Sequence, residues 1–357
     1  LALPGAVSNT DWTHPGGNAS HQIAHVALST SPRLIWSAKL GQGNSRKYRI
    51  AADPVLAGNR IFAMDSRAQV SAFSTAGAQL WSADLTPAED RPDEASGGGI
   101  AVMGGRVFVN TGFGELNVLD AASGGLVWRQ DFDATLSGAP MVRDGTVFVV
   151  TTDATGWALE AETGRILWQS LGAVTDRASA SGPSPVLAGP LVVFPFASGQ
   201  MVAAEAATGR QAWAASVAGE RLGRAFGVVN DLTGAPIYAG NTVYAASQAG
   251  RAAAFDATTG APRWRAETGA LGPLWLAGNG LFFVNDKNQL TRLDAATGET
   301  VWSVDLPFYR NTRIRRRQSI FAHHGPMMAG GRLWLISDDG LIRHYNPASG
   351  ALIGTIP

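Results

Sequence analysis

The 357 residues carry 28 Lys and Arg against 28 Asp and Glu, a formal net charge of zero that argues against nucleic acid as a main partner, since that partner demands a basic face. The absence of cysteine excludes a disulfide framework, thiolate metal sites and a cysteine nucleophile in this sequence. Forty-three glycines with only 16% charged residues favour an all-β chain rich in tight turns, and no apolar run approaches the ~18 residues of a membrane helix, the longest, residues 191–197, containing Pro195.

Residues 1–30 hold no repeat and are expected as an N-terminal extension, with 31–357 as a single domain. His14, His21 and His25 lie in the extension at loose spacing with no carboxylate at ligand distance, so they give no metal signature. A strand is expected over residues 33–40, carrying Trp36.

From there the chain is periodic at roughly 45 residues. One turn recurs as Asp120-Ala-Ala-Ser-Gly124, Glu160-Ala-Glu-Thr-Gly164, Glu205-Ala-Ala-Thr-Gly209, Asp256-Ala-Thr-Thr-Gly260 and Asp294-Ala-Ala-Thr-Gly298. Four residues after each Gly stands Trp128, Trp168, Trp213, Trp264 or Trp302. Gly77 precedes Trp81 at the same distance, and Asn346-Pro-Ala-Ser-Gly350 is a last copy with Gly354 in the Trp position. The acidic or Asn side chain can accept backbone N–H groups, and the Gly supplies the positive φ that closes a hairpin. A second hairpin lies upstream in each unit, as in Ala57-Gly-Asn-Arg-Ile61 and Ala239-Gly-Asn-Thr-Val243. Its last apolar residue falls 21 residues before the Trp position, or 20 in the first unit. Alternating or wholly apolar stretches of four to seven residues fill the intervals, such as 60–64, 147–151 and 281–285, and read as strands. Each unit is therefore four short antiparallel strands, which is a β-propeller blade. The tryptophans are expected to pack on the next blade rather than to stack on a cofactor.

Three connections between units are long. Residues 86–99 form an acidic excursion, residues 218–234 mix charges with Phe226, and Arg313-Ile-Arg-Arg-Arg317 is the densest charge in the chain. Loops on a rigid ring are where binding surfaces lie, so the second connection is the favoured protein-docking patch. Arg313, Arg315, Arg316 and Arg317 offer a secondary anionic contact, to an acidic partner surface or a membrane face.

There are eight Trp-type outer strands but seven inner three-strand sets. The favoured expectation is an eight-bladed ring whose last inner strands would follow Pro357; the alternative is seven blades plus an extra N-terminal strand.

The D-x-x-T-G-x-x-x-W repeat marks quinoprotein-like propellers, and across essentially the whole chain the sequence resembles the BamB family of outer-membrane assembly lipoproteins. Within Asn230-Asp-Leu-Thr-Gly-Ala-Pro236, Asp231 matches a partner-contacting Asp of that family, and Thr233 stands where a second acidic residue is expected. Asp176-Arg177, ahead of Ser181-Gly-Pro183, lies one position out of register with the family's Leu-Arg pair. The resemblance implies a non-enzymatic scaffold of the barrel-assembly complex on the periplasmic face of the outer membrane. It implies attachment by an N-terminal lipid, binding to the periplasmic (POTRA) domains of BamA and contact with nascent outer-membrane proteins. The docking residues are then Asp176, Arg177, Arg221, Arg224, Phe226, Asp231 and Thr233. No cofactor and no metal are expected. The alternatives are a PQQ-dependent dehydrogenase-like enzyme, disfavoured by the missing cysteine pair and by acids committed to turns, or a periplasmic small-molecule-binding propeller using its channel.

Overall fold

The structure, a computed structural model, describes residues 1–357 apart from 46, 175–181, 218–231, 233, 312, 314 and 316–318. The described residues form seven four-stranded antiparallel sheets. Blade 4 shows the plan, with strands Val186–Ala188, Leu191–Pro195, Gln200–Glu205 and Gln211–Ser216 paired in sequence order. The seven blades occupy residues 55–84, 98–131, 136–171, 186–216, 237–266, 275–305 and 323–356.

Each blade alternates strand direction, so its first and third hairpins share one end and its middle hairpin shares the other with the connection to the next blade. Hydrogen bonds mark both ends. The Ala121, Ala161, Ala206 and Ala257 amides of the third hairpin donate to Gly105, Gly145, Pro190 and Asn241 of the first, defining a turn face. The Phe132, Gly172 and Val217 amides just beyond the fourth strand donate to Gly114, Ala154 and Gly199 of the middle hairpin, defining a loop face.

The acidic turn does what its composition requires. Asp120 Oδ1 accepts the Ala122 and Ser123 amides at 3.1 and 2.9 Å, and Asp256 Oδ1 accepts Thr258 and Thr259, both at 3.0 Å. The turn glycine meets two demands at once. Gly124 has φ +74°, and a Cβ there would lie 2.6 Å from the ring of Trp81 in the preceding blade. Gly164, Gly209, Gly260, Gly298 and Gly350 sit in the same way under Trp128, Trp168, Trp213, Trp264 and Trp302. Each indole N–H also donates to a carbonyl of the next turn, from Trp81 to Ala121 through Trp264 to Ala295. Six apolar clusters then join consecutive blades, for example Phe62, Met64 and Val70 of blade 1 with Ile100, Val107 and Leu119 of blade 2.

Among the described residues the blades number seven, the count of the alternative expected from sequence, in place of the favoured eight, and the strand expected around Trp36 is corrected. Trp36 docks as its counterparts do, its indole N–H donating to Thr75 O at 2.9 Å and its ring lying over Gly77. Residues 33–40 nevertheless form no ladder, leaving Leu34 84% and Ile35 75% exposed. The indole bond is made to a neighbouring blade, whereas a strand also needs a sheet of its own, and none of the described residues supplies one. Correspondingly, none of the six clusters joins blade 7 to blade 1.

Candidate protein-docking face

The two connections singled out from sequence leave blade 3 and blade 4 on the loop face and flank blade 4 on either side. Asp176, Arg177, Arg221, Arg224, Phe226, Asp231 and Thr233 themselves lie outside the described residues, as do Arg316 and Arg317. The feet of the connections are described, and they meet. The Ala173 amide donates to Gln200 Oε1 at 2.6 Å, tying the first connection to the middle hairpin of blade 4. In the second, Leu232 is 1% exposed within the blade 4–5 cluster and bridges Ser247. A cleft of about 20 Å³ lies between them, lined by Ser137, Thr151, Ala173, Pro183, Pro195 and Leu232. Small residues bring the backbones close here: a Cβ on Gly138 would fall 2.7 Å from Gly182 O, and Ser184 Oγ accepts the Ala139 amide at 2.8 Å.

The basic run belongs to a separate projection on the same face. Tyr309 bridges Ile320, and the Arg310 and Phe321 amides donate to Ser319 and Phe308 carbonyls at 3.0 and 2.8 Å, so residues 308–310 lie beside residues 319–321. Arg310 pairs with Asp338 and lies 5.2 Å from the centroid of the Phe321 ring. Below it, His323 places Nδ1 at 2.6 Å from Ser337 Oγ and Nε2 at 2.8 Å from Pro307 O, and burial pulls its pKa down. Arg313 and Arg315, beyond this root, are exposed. His323 is thus a structural anchor for the basic projection.

Two features of the loop face escaped the reading of the sequence. Tyr48 is buried against the acidic excursion, donating its hydroxyl to Asp93 O, with Lys47 Nζ 5.0 Å and the Arg67 guanidinium 5.2 Å from its ring. A groove of about 280 Å³ runs between blades 1 and 2, lined among others by Asp84, Glu115, Asn117 and Arg129. Burial lifts the Glu115 carboxyl above its ordinary range, although Asn117 at 3.2 Å and Arg129 at 3.3 Å act the other way. Neither carries a periodic signal, because each joins segments from different repeats.

A quinone cofactor and its calcium would need converging acidic ligands. Among the described residues no three His, Cys, Asp or Glu side chains are placed to hold a metal ion.

The repeated Trp-over-Gly docking and the four-stranded blades define a quinoprotein-like β-propeller. Residues 66–304 match the family described as outer membrane protein assembly factor BamB, and the chain belongs to that family. It is 26% identical over 349 residues to the outer membrane protein assembly factor BamB of Moranella endobia, covering 93% of this chain and 87% of that protein. Among solved structures it is similar to BamB from Moraxella catarrhalis, with a TM-score of 0.70 at 20% identity over 89% of this chain and 91% of that one. The quinohemoprotein alcohol dehydrogenase of Comamonas testosteroni shares the fold, with a TM-score of 0.72 at 16% identity over 99% of this chain and 74% of that one.

Proposed function

We propose that this chain is a non-enzymatic scaffold of the outer-membrane barrel-assembly complex. In this reading it works at the periplasmic face of the outer membrane, attached by an N-terminal lipid. Its loop face binds the periplasmic domains of BamA and so positions them to receive nascent outer-membrane proteins. The observation that carries the reading is the convergence of Ala173, Pro183 and Leu232 at one cleft beside blade 4, which brings the two connections into one patch. The family to which the chain belongs supports it further, since its relatives carry the assembly-factor name.

The chemistry assigned to the patch is non-covalent. Arg177, Arg221 and Arg224 would pair with acidic groups of the partner, Asp231 would accept its donors, and Phe226 would supply an apolar anchor, the residue types that dominate interface energetics. Pulldown of purified BamA periplasmic domains by the parent chain tests the reading. Single Arg177→Ala and Asp231→Ala variants should each lose about tenfold in affinity, the cost of removing one charged interface contact of ~1.4 kcal/mol. Unchanged binding by the double variant removes these residues from the interface. No binding by the parent overturns the partner assignment.

A further inference from the structure

We infer that residues 1–30 are a releasable latch that rounds the inner rim of the turn face and holds the last blade to the first. The segment visits every blade in turn. Trp12 exchanges backbone hydrogen bonds with Leu56 of blade 1 at 2.7 and 2.8 Å, and Thr13 O accepts the Val102 amide of blade 2. His14 Nε2 accepts the Val142 amide of blade 3 at 3.0 Å, and Ala19 O accepts the Leu187 amide of blade 4. Ser20 O accepts the Tyr238 amide of blade 5, Ala24 O accepts the indole N–H of Trp275 in blade 6, and Val26 donates to Met328 O of blade 7.

All these partners lie at the turn-face ends of the innermost strands, so residues 12–26 run round the channel rim. Fifteen extended residues span at most about 50 Å, enough to circle a narrow mouth but not a wide one. The ring of Trp12 reaches across the rim, stacked on Trp275 of blade 6 at 6.2 Å between centroids although its backbone is paired with blade 1. The same segment spans the junction where no apolar cluster joins blade 7 to blade 1. Thr30 O accepts Arg332 and His25 Nε2 accepts the Gly331 amide on one side, and Asp11 Oδ1 accepts the Gly58 amide on the other.

Two buried histidines make this seat sensitive to protons. His14 Nε2 is an acceptor, so Nδ1 carries the hydrogen toward Thr13 Oγ1 at 2.8 Å. His21 Nδ1 donates to Pro236 O at 3.0 Å, and its Nε2 is buried without a partner. Both rings are therefore held neutral. Burial lowers the pKa of His14 to about 3, with His21 adding to the fall and the Val142 backbone opposing it. Burial lowers His21 to about 4, against the Pro236 carbonyl. No carboxylate is among the groups acting on either ring. A released segment would titrate near the ordinary 6.5, so the seated form is favoured above that pH and loses ground as pH falls from 6.5 toward 4.

The absence of cysteine allows a direct test. Ala19 packs against the blade 3–4 cluster, so the thiol of an Ala19→Cys variant reports release of the segment. Its rate of reaction with a pyridyl disulfide, divided by that of free cysteine at the same pH, should rise about 100-fold between pH 7.5 and 5.5, tenfold per histidine. With His14→Gln and His21→Gln added, the ratio should be near one. A flat rate, or an equal rise in the Gln variant, overturns the latch. So does an equal rise at Ala203→Cys, deep in blade 4, which would report global unfolding. If Ala19→Cys itself unseats the segment, hydrogen exchange of residues 10–28 in the unsubstituted chain reads the same equilibrium. pH-independent exchange there, after correction for intrinsic rates, also overturns it.

Discussion

At the residue scale, the glycine of the acidic turn and the tryptophan four residues later look like one local motif, yet they do not touch each other. Trp168 belongs to the turn closed by Gly164, but its ring covers Gly209 of the next repeat. The glycine is therefore required by its positive φ and by the indole that occupies the space of a Cβ. These two requirements can be separated. Gly145 has φ +77° with open space beyond it, whereas a Cβ on Gly209, φ +74°, would meet Trp168 at 2.6 Å. Gly145→Ala should cost about 1 kcal/mol from φ alone, and Gly209→Ala about 2–3 kcal/mol because the indole must also move. Urea denaturation of the two variants measures the difference; equal costs would show that the indole yields freely.

At the scale of elements, the four strands of a blade were legible because alternation and turn chemistry are local. The pairing of Val149 with Trp157 and of Ala203 with Trp213 follows from hairpin lengths written in the chain. Residues 33–40 show the limit of that logic. Their pattern matches the other outer strands, but a strand is defined by its hydrogen-bonded neighbour, and the pattern says nothing of whether that neighbour exists. Held mainly through Trp36, the segment should be the first described region that trypsin cuts, after Arg33 or Lys39, and Trp36→Ala should speed those cuts several-fold. Mass spectrometry of a digestion time course checks both; prior cleavage within a blade would contradict it.

At the scale of the whole molecule, the disc has two chemically different ends. The turn face carries the acidic turns and the seated N-terminal segment, while the loop face carries the long connections, the acidic excursion and the basic projection. The proposed docking patch and latch thus occupy opposite faces, so a partner on the loop face need not displace the segment. The basic projection lends itself to long-range attraction. Reversing Arg313 and Arg315 to Glu should reduce partner or anionic-vesicle association several-fold in low salt and little at ~1 M, where the screening length is about 3 Å. Binding measured across a salt series decides this, and an unchanged low-salt affinity removes the projection from the interface. Of the proposed docking patch, the length and charge of residues 218–234 were legible in the sequence, and Asp176-Arg177 entered through the family resemblance. That the feet of the two connections share a cleft followed from the curvature of the ring, which sets consecutive connections side by side.

The sequence by itself determined the blade, its hairpins, the Trp contact with the next blade and the family, because each rests on short-range periodicity or on residues repeated in register. Only the tertiary structure decided that seven sheets form and that Trp36 docks without a ladder. It also turned three loosely spaced histidines with no metal signature into anchors of a segment that rounds the rim. The physical reason is the same in each case. These features depend on contacts between chain segments with no shared repeat, Trp12 with Trp275 or His14 with Val142, and such contacts exist only once the ring has brought their ends together.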